Sequence, residues 1–319
     1  MKKIITSVAL VAMGFAAHAQ QDAQFSQNFF TKLDYNPAYA GISQAYCGGL
    51  IYRDQWLNLP GNPTTLNFNG DAYLPMIGGG AGLSVYDDKL GFESTLTIKL
   101  AYSYHIILGP GVLGVGLSAG FFQKALGTGW NTPDGKGVTS TIPITDPLVP
   151  VNGNSVSTYD IGLGLYYATP QGLYVGISTS HLPQQTITGN YKSFQYDVAR
   201  HYYVMAGYTY NASATWDIIP DLYVESDASS TQFQLNLRAE WNKTIWFGAG
   251  YRMNDAFVAL IGYQMTMKNG GGLKIGYSFD FTTSDLHEYS TGSHELALQY
   301  CFTPKPPSKI EYHQNPRFL

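Results

Sequence analysis

Hydrophobic and polar residues alternate with a period of two along most of this chain. Leu66, Phe68, Gly70, Ala72 and Leu74 alternate with Thr65, Asn67, Asn69, Asp71 and Tyr73. The pattern returns at Leu96–Tyr104, at Leu113–Phe121, at Ile161–Tyr167, at Phe233–Trp241, at Leu273–Phe279 and at Leu296–Phe302. Successive side chains of a strand point to opposite faces, so this period predicts strands with one apolar face. No comparable stretch has helical spacing. Ile106 to Phe122 carries no charge and would suit a membrane helix by hydropathy alone. It contains Pro110 and several glycines, and from Leu113 onward it alternates strictly, so it too reads as strand.

Two architectures use such strands. A sandwich buries one face and wets the other. A membrane barrel turns the apolar face to lipid and the polar face to its lumen. Strands of roughly 9–11 residues suit a tilted membrane crossing. Aromatic pairs near strand ends (Tyr102 and Tyr104, Tyr208 and Tyr210, Tyr300 and Phe302) suit interfacial girdles. The chain therefore reads as all-β, a transmembrane antiparallel β-barrel. Fourteen strands are expected, near 46–54, 64–74, 79–87, 94–105, 112–122, 159–168, 172–180, 200–210, 219–227, 231–241, 245–252, 255–264, 271–281 and 293–302. An even count leaves both barrel ends in the periplasm. The even-numbered connections at 106–111, 169–171 and 242–244 are short, as periplasmic turns should be, although 211–218 is longer. Those at 55–63, 123–158, 181–199 and 282–292 are mostly long, as outer loops should be, with 252–255 the exception.

The ends of the chain divide it further. Lys2 and Lys3, the apolar run Ile4–Ala17 and the small-x-small site Ala17-His18-Ala19 read as a signal peptide over 1–19. Residues 20–44 are an N-terminal segment that either plugs the lumen or lies beneath it in the periplasm. The barrel occupies 45–302, and 303–319 form a Pro- and Lys-bearing periplasmic tail.

Composition agrees with this division. Charged residues are only 13% and aromatics 14%, with Gly 35 and Tyr 25 among 319 residues. Mean hydropathy is −0.11, near zero because each apolar strand residue has a polar or small neighbour. Disordered chains carry more charge and fewer aromatics. Lys+Arg 18 against Asp+Glu 22 argues against a nucleic-acid partner.

Little in the sequence marks chemistry. Gly116-Leu117-Ser118-Ala119-Gly120 matches a nucleophile elbow, but the serine lies in mid-strand with no helix after it. Gly109-Pro110-Gly111-Val112-Leu113-Gly114 matches a dinucleotide-binding turn, but a strand follows, so it reads as a hairpin. His105, His181, His201, His287, His294 and His313 show no metal-ligand spacing, and Asp87-Asp88 reads as a solvated outer turn. No catalytic residue, metal or cofactor is expected, and the chain is read as non-enzymatic. Cys47 and Cys301 stand out. They lie in the first and last strands, near the same end and on inward positions, so barrel closure would make them neighbours. The expectation is a disulfide across the seam, and two free thiols are the alternative.

Several blocks resemble one family, the PorP/SprF membrane proteins of type IX secretion. They are Gln21-Asp22-Ala23-Gln24-Phe25-Ser26-Gln27 and Asn36-Pro37-Ala38-Tyr39-Ala40-Gly41, then Tyr52-Arg53-Asp54-Gln55-Trp56 with Pro60-Gly61-Asn62-Pro63. Arg200-His201-Tyr202-Tyr203, Leu235-Asn236-Leu237-Arg238-Ala239, Gly250-Tyr251-Arg252, Gly276-Tyr277-Ser278-Phe279-Asp280 and Gly292-Ser293-His294-Glu295-Leu296 follow in order. The residues that carry the resemblance most are Asn36, Pro37, Tyr39, Gly41, Arg53, Gln55, Trp56, Arg200, His201, Tyr202, Arg238, Arg252, His294 and Glu295. The resemblance implies an outer-membrane protein that helps secrete, dock or anchor an adhesin-like surface protein, gliding motility among the roles. Its implied partners are the secreted protein or its C-terminal domain, type IX components including periplasmic lipoproteins, and outer-membrane lipid. The competing expectation is a transporter for a small hydrophobic solute. A lumen filled by side chains would favour the scaffold, and a continuous lumen or lateral opening would favour transport.

Overall fold

The computed structural model describes residues 22–127, 154–189, 195–267 and 271–304. The expected signal peptide, most of the tail, and the centres of the 123–158 and 181–199 loops lie outside them. Fourteen antiparallel strands form a closed barrel. They are β1 (Tyr46–Asp54), β2 (Thr64–Leu74), β3 (Gly79–Leu90), β4 (Glu93–Leu108), β5 (Gly111–Leu126), β6 (Asn154–Ala168) and β7 (Tyr174–Ser180). Then follow β8 (His201–Gly207), β9 (Trp216–Ser226), β10 (Thr231–Trp241), β11 (Ile245–Arg252), β12 (Ala256–Thr266), β13 (Gly272–Thr282) and β14 (Ser293–Phe302). Each strand pairs with its neighbours in sequence, and β1 pairs with β14 to close the ring. No described helix is long and apolar enough to cross a membrane. The crossing is made by strands that pair around the closed ring, as a membrane requires.

The alternation has the direction the barrel requires. Leu66, Phe68, Leu100, Leu117, Leu163, Leu235, Leu237 and Leu296 are exposed on the outer wall. Their neighbours Thr65, Asn67, Ser118, Asn236 and Glu295 are buried inside. The tyrosines divide between two places. Tyr102, Tyr104, Tyr208 and Tyr210 are exposed, as girdle residues should be. Tyr35, Tyr166, Tyr203 and Tyr223 are instead buried inside the lumen, so interfacial placement does not account for all of them.

Several boundaries differ from the periodicity. Residues 123–126 and 154–158, expected in an outer loop, are strand, with Lys124 opposite Val156 and Leu126 opposite Asn154. This extension carries polar residues on both faces, so no amphipathic period marks it. Asp87 and Asp88 are likewise in β3 rather than in a turn, and Asp88 accepts from the Thr65 hydroxyl at 2.7 Å. The connection near 211–218 is shorter than it looked, because Trp216–Ile218 already belong to β9. The 109–110 turn is the expected hairpin, with Gly109 at φ +58°.

Residues 22–45 run inside the barrel. Phe25, Phe30, Leu33, Tyr35, Ala38 and Ala40 are buried there. They form short turns at Asn28–Phe30, Lys32–Tyr35 and Pro37–Tyr39, the last capped by the Asn36 side chain, which accepts from the Ala38 amide. Two glycines of β5 face this turn. A Cβ at Gly116 would overlap the Ala38 backbone, and one at Gly114 would overlap the Ala38 carbonyl. Glycine here lets two backbones approach closely. Gly116→Val is therefore expected to destabilise the barrel by about 1–3 kcal/mol through overpacking. Gly48→Ala is expected to be silent, since Gly48 has open space around its missing Cβ. Thermal unfolding of both variants in detergent checks the contrast.

Candidate functional site

The N-terminal segment is held to the wall by a buried ionic cluster near the outer end of the β1–β14 seam. Arg53 and Glu295 are register partners on the two closing strands. Inward parity turns both into the lumen, where each is about 1% exposed. Arg53 Nη1 meets Glu295 Oε2 at 3.0 Å, and Nη2 meets Asp280 Oδ2 at 2.7 Å. Arg252 at the end of β11 reaches the same Asp280 oxygen at 3.2 Å and Asp255 at 2.9 Å. Ser26 sits at the centre. Its hydroxyl accepts from Arg53 Nη1 at 2.9 Å and Arg252 Nη2 at 2.7 Å, and donates to Asp280. The Glu295 carboxylate accepts the backbone N–H of Ser26 and of Gln27, both at 2.8 Å. Gln234 donates to the Ser26 carbonyl at 2.8 Å and accepts from Arg252 Nε at 3.1 Å. Buried charges need opposite charges and hydrogen bonds together, and this cluster supplies both.

Below this latch the segment keeps contact with the wall toward the periplasmic end. The Phe29 ring lies 3.7 Å from the Arg238 guanidinium carbon, and Arg238 Nε is 3.6 Å from Asp221. Lys32 Nζ lies 3.5 Å from the Tyr174 ring centroid. Asn36 donates to the Leu165 carbonyl at 3.0 Å and to Ile177 at 3.3 Å. Tyr39 meets Tyr166 edge-on at 5.3 Å. The Gly41 amide donates to Asp71 at 2.8 Å, with Gly41 at φ +73°. The lumen is thus occupied by the chain's own residues from its outer end to its inner end.

Above the latch, Asp22 meets two histidines that flank an outer loop. His181 Nε2 lies 3.2 Å from Asp22 Oδ2, and His181 Nδ1 lies 3.1 Å from Asp160 Oδ1. His201 Nε2 accepts the Asp22 amide at 3.3 Å. Burial opposes charge on His181, but the Asp22 and Asp160 carboxylates overcome it and push its pKa up to about 9. Burial alone would raise the Asp22 carboxyl, yet His181 and His201 hold it well below the usual carboxylate range. Beside Asp22 opens an outer vestibule of about 310 Å3, bounded in part by Gln55, Trp56, Asp88, Gln232 and Asp255. The neighbouring loop folds back as a hairpin, Thr186–Thr188 against Gln195–Asp197, and packs Ile187 and Val198 on Phe122.

The structure brings most of the motif residues together around the segment. Arg53, Arg252 and Glu295 share the latch. Asn36, Pro37, Tyr39 and Gly41 belong to the segment, Arg238 to the wall beneath it, and His201 to the Asp22 contact. Gln55 and Trp56 line the vestibule, and the Trp56 amide donates to Ser293 Oγ at 3.0 Å. Arg200 donates to the Leu182 carbonyl at 2.7 Å. Tyr202 and His294 stand apart. Tyr202 faces outward, 44% exposed, and His294 bonds Tyr277 Oη at 2.6 Å on the outer wall. Cys47 and Cys301 are register partners at the inner end of the same seam, with their sulfurs 2.10 Å apart. In the sequence Asp22, Ser26 and Asp280 stand only within the family blocks, and His181 only among histidines that lack metal-ligand spacing. Asp280 carried a signal nonetheless, as a charge at an inward position one turn of the pleat from a strand end.

A lipid-faced wall around a lumen filled and latched by its own N-terminal segment defines a plugged outer-membrane barrel. The chain belongs to the PorP/SprF family of type IX secretion system membrane proteins, whose model matches residues 17–300. The protein is therefore an outer-membrane protein of that secretion system. No curated protein matches its sequence. Among solved structures it is similar to the CymD monoaromatic hydrocarbon channel, at 13% identity over 90% of this chain and 95% of that one, TM-score 0.49. It is similar also to the Ralstonia pickettii toluene transporter TbuX, at 13% identity over 86% and 93%, TM-score 0.48. The Acinetobacter baumannii outer-membrane protein Omp33 matches at 11% identity over 81% and 98%, TM-score 0.42. At these values nothing of their cargo transfers to this chain.

Proposed function

We propose that this protein is a non-enzymatic scaffold of type IX secretion that helps secrete, dock or anchor an adhesin-like surface protein at the outer membrane. The observation that supports it most is the occupied lumen, with Ser26 and Gln27 latched to Arg53, Arg252, Asp280 and Glu295. A barrel whose interior is taken up by its own chain has its outer loops, vestibule and periplasmic turns left for recognition. The vestibule beside Gln55, Trp56 and the 181–200 loop is the outer candidate. The short turns and the tail after Phe302 are candidates for contact with periplasmic lipoproteins of the machinery.

The test is deletion of the gene, followed by measurement of every type IX substrate in the medium and on the cell surface. The expected result is loss of display of one or a few large surface proteins, restored by the full chain. Unchanged secretion and display of all substrates would overturn the reading. Reduced uptake of a small hydrophobic solute with display intact would instead establish the transporter.

A further inference from the structure

The geometry points to a divalent transition-metal site, with zinc as its first probe, formed by Asp22, His181 and His201 where the N-terminal segment meets the outer loop. The three residues come from places far apart in sequence. Asp22 begins the described part of the segment, His181 follows β7, and His201 begins β8. One ligand atom from each lies within 4.8 Å of the others. Two imidazoles and a carboxylate suit zinc and its first-row neighbours.

The surroundings are those of an oriented ligand set. A metal-binding histidine presents one ring nitrogen and has the other held by an acceptor, which selects the tautomer. The His201 ring is held in that way, while His181 Nδ1 faces a carboxylate that accepts the His181 backbone amide. Asp160 Oδ1 lies 3.1 Å from His181 Nδ1, and the Ala199 carbonyl lies 3.1 Å from His201 Nδ1. Both Nε2 atoms are therefore turned toward Asp22. The His181 Nε2 to Asp22 carboxylate distances of 3.2 and 3.3 Å equal the edge expected between two ligands on a tetrahedral zinc. Tyr203 donates to Asp22 Oδ2 at 2.7 Å and fixes the carboxylate. Both histidines are about 3% exposed. On metal entry the Asp22 amide gives up its long 3.3 Å contact with His201 Nε2. A small cavity of about 20 Å3, lined by Asp22, Tyr86, Lys99 and His181 among others, has room for a water as the remaining ligand.

Such an ion would clasp the upper end of the segment to both ends of the 181–200 loop, above the ionic latch. Its place in the fold is that of a clasp, with Asp22 also bordering the outer vestibule. The scaffold reading does not depend on it, and neither outcome below alters the secretion test.

The experiment uses the full barrel purified in detergent without a histidine tag. It is stripped with chelator, then titrated with Zn2+ and separately with Co2+. The expected result is one equivalent bound, Co2+ absorption bands of a nitrogen- and oxygen-ligated site, and a higher unfolding temperature with metal. His201→Gln and Asp22→Asn are expected to weaken binding at least tenfold, while gel mobility of the folded barrel shows that they still fold. Absence of saturable Zn2+ or Co2+ binding to the unmodified chain would overturn the site without recourse to any variant. Equal binding by the variants would place the metal elsewhere and overturn it as well.

Discussion

Glu295→Ala is expected to release the N-terminal segment from the barrel wall. The change removes the acceptor of two backbone amides, Ser26 and Gln27, and one of the two carboxylates facing Arg53. Breaking a buried ion pair by deleting one partner costs about 3–5 kcal/mol, since the other charge stays buried. The loss falls on the docking of the segment as well as on the seam, because Arg53 and Glu295 lie opposite each other on β1 and β14. In planar bilayers the native barrel should conduct little, and the variant should show frequent open events. Its unfolding temperature in detergent should fall as well. Arg53→Lys tests the geometry of the same cluster. It keeps the charge but loses the fork that reaches Glu295, Asp280 and Ser26 together. It should therefore lie between the native protein and Glu295→Ala. Native conductance and unfolding temperature in Glu295→Ala would remove the latch from the account.

Reduction, or Cys47→Ser, is expected to weaken the inner end of the same seam. The two cysteines are 254 residues apart in sequence, so a bond between them joins the first strand to the last and closes almost the whole described chain. Disulfides of this kind contribute about 2–4 kcal/mol, and the entropic part rises slowly with loop length. The compartment outside the inner membrane allows such a bond to persist. The unreduced protein should stay a folded band on a gel to a higher temperature than the reduced protein or Cys47→Ser. After full denaturation without reductant, neither thiol should react with an alkylating reagent. Two reactive thiols under those conditions would mean that the seam is held by hydrogen bonds and the Arg53–Glu295 pair alone.

Much of this architecture is legible in the sequence. In β2, β10, β11 and β14 the expected and observed limits coincide, because one face meets lipid and the other the lumen. That contrast writes itself into the sequence as a period of two. Legibility failed where the contrast vanished. The polar stretch 154–158 has water or protein on both sides, and Asp87-Asp88 carries charge into a strand beyond the lipid. The cysteine register was legible for the same reason as the strands, since parity and closure place both residues inward at one end. The family blocks marked Arg53, Arg252 and Glu295, but as short motifs far apart in sequence and not as one cluster.

The sequence by itself therefore determined the local pattern: which segments are strands, which face each residue takes, and how many strands alternate across the membrane. These are nearest-neighbour properties, set by solvent on either side of a pleated strand. Only the tertiary structure decided what fills the barrel. A lumen-facing aspartate looks the same in sequence whether it meets water, an arginine or another part of the chain. Closure brings β1 to β14, sets Asp280 between Arg53 and Arg252, and threads residues 22–45 between them. It also sets Asp22 against His181 and His201, whose sequence spacing carried no trace of the meeting. Contacts between residues more than a hundred positions apart depend on the path of the whole chain, and no local period can carry them.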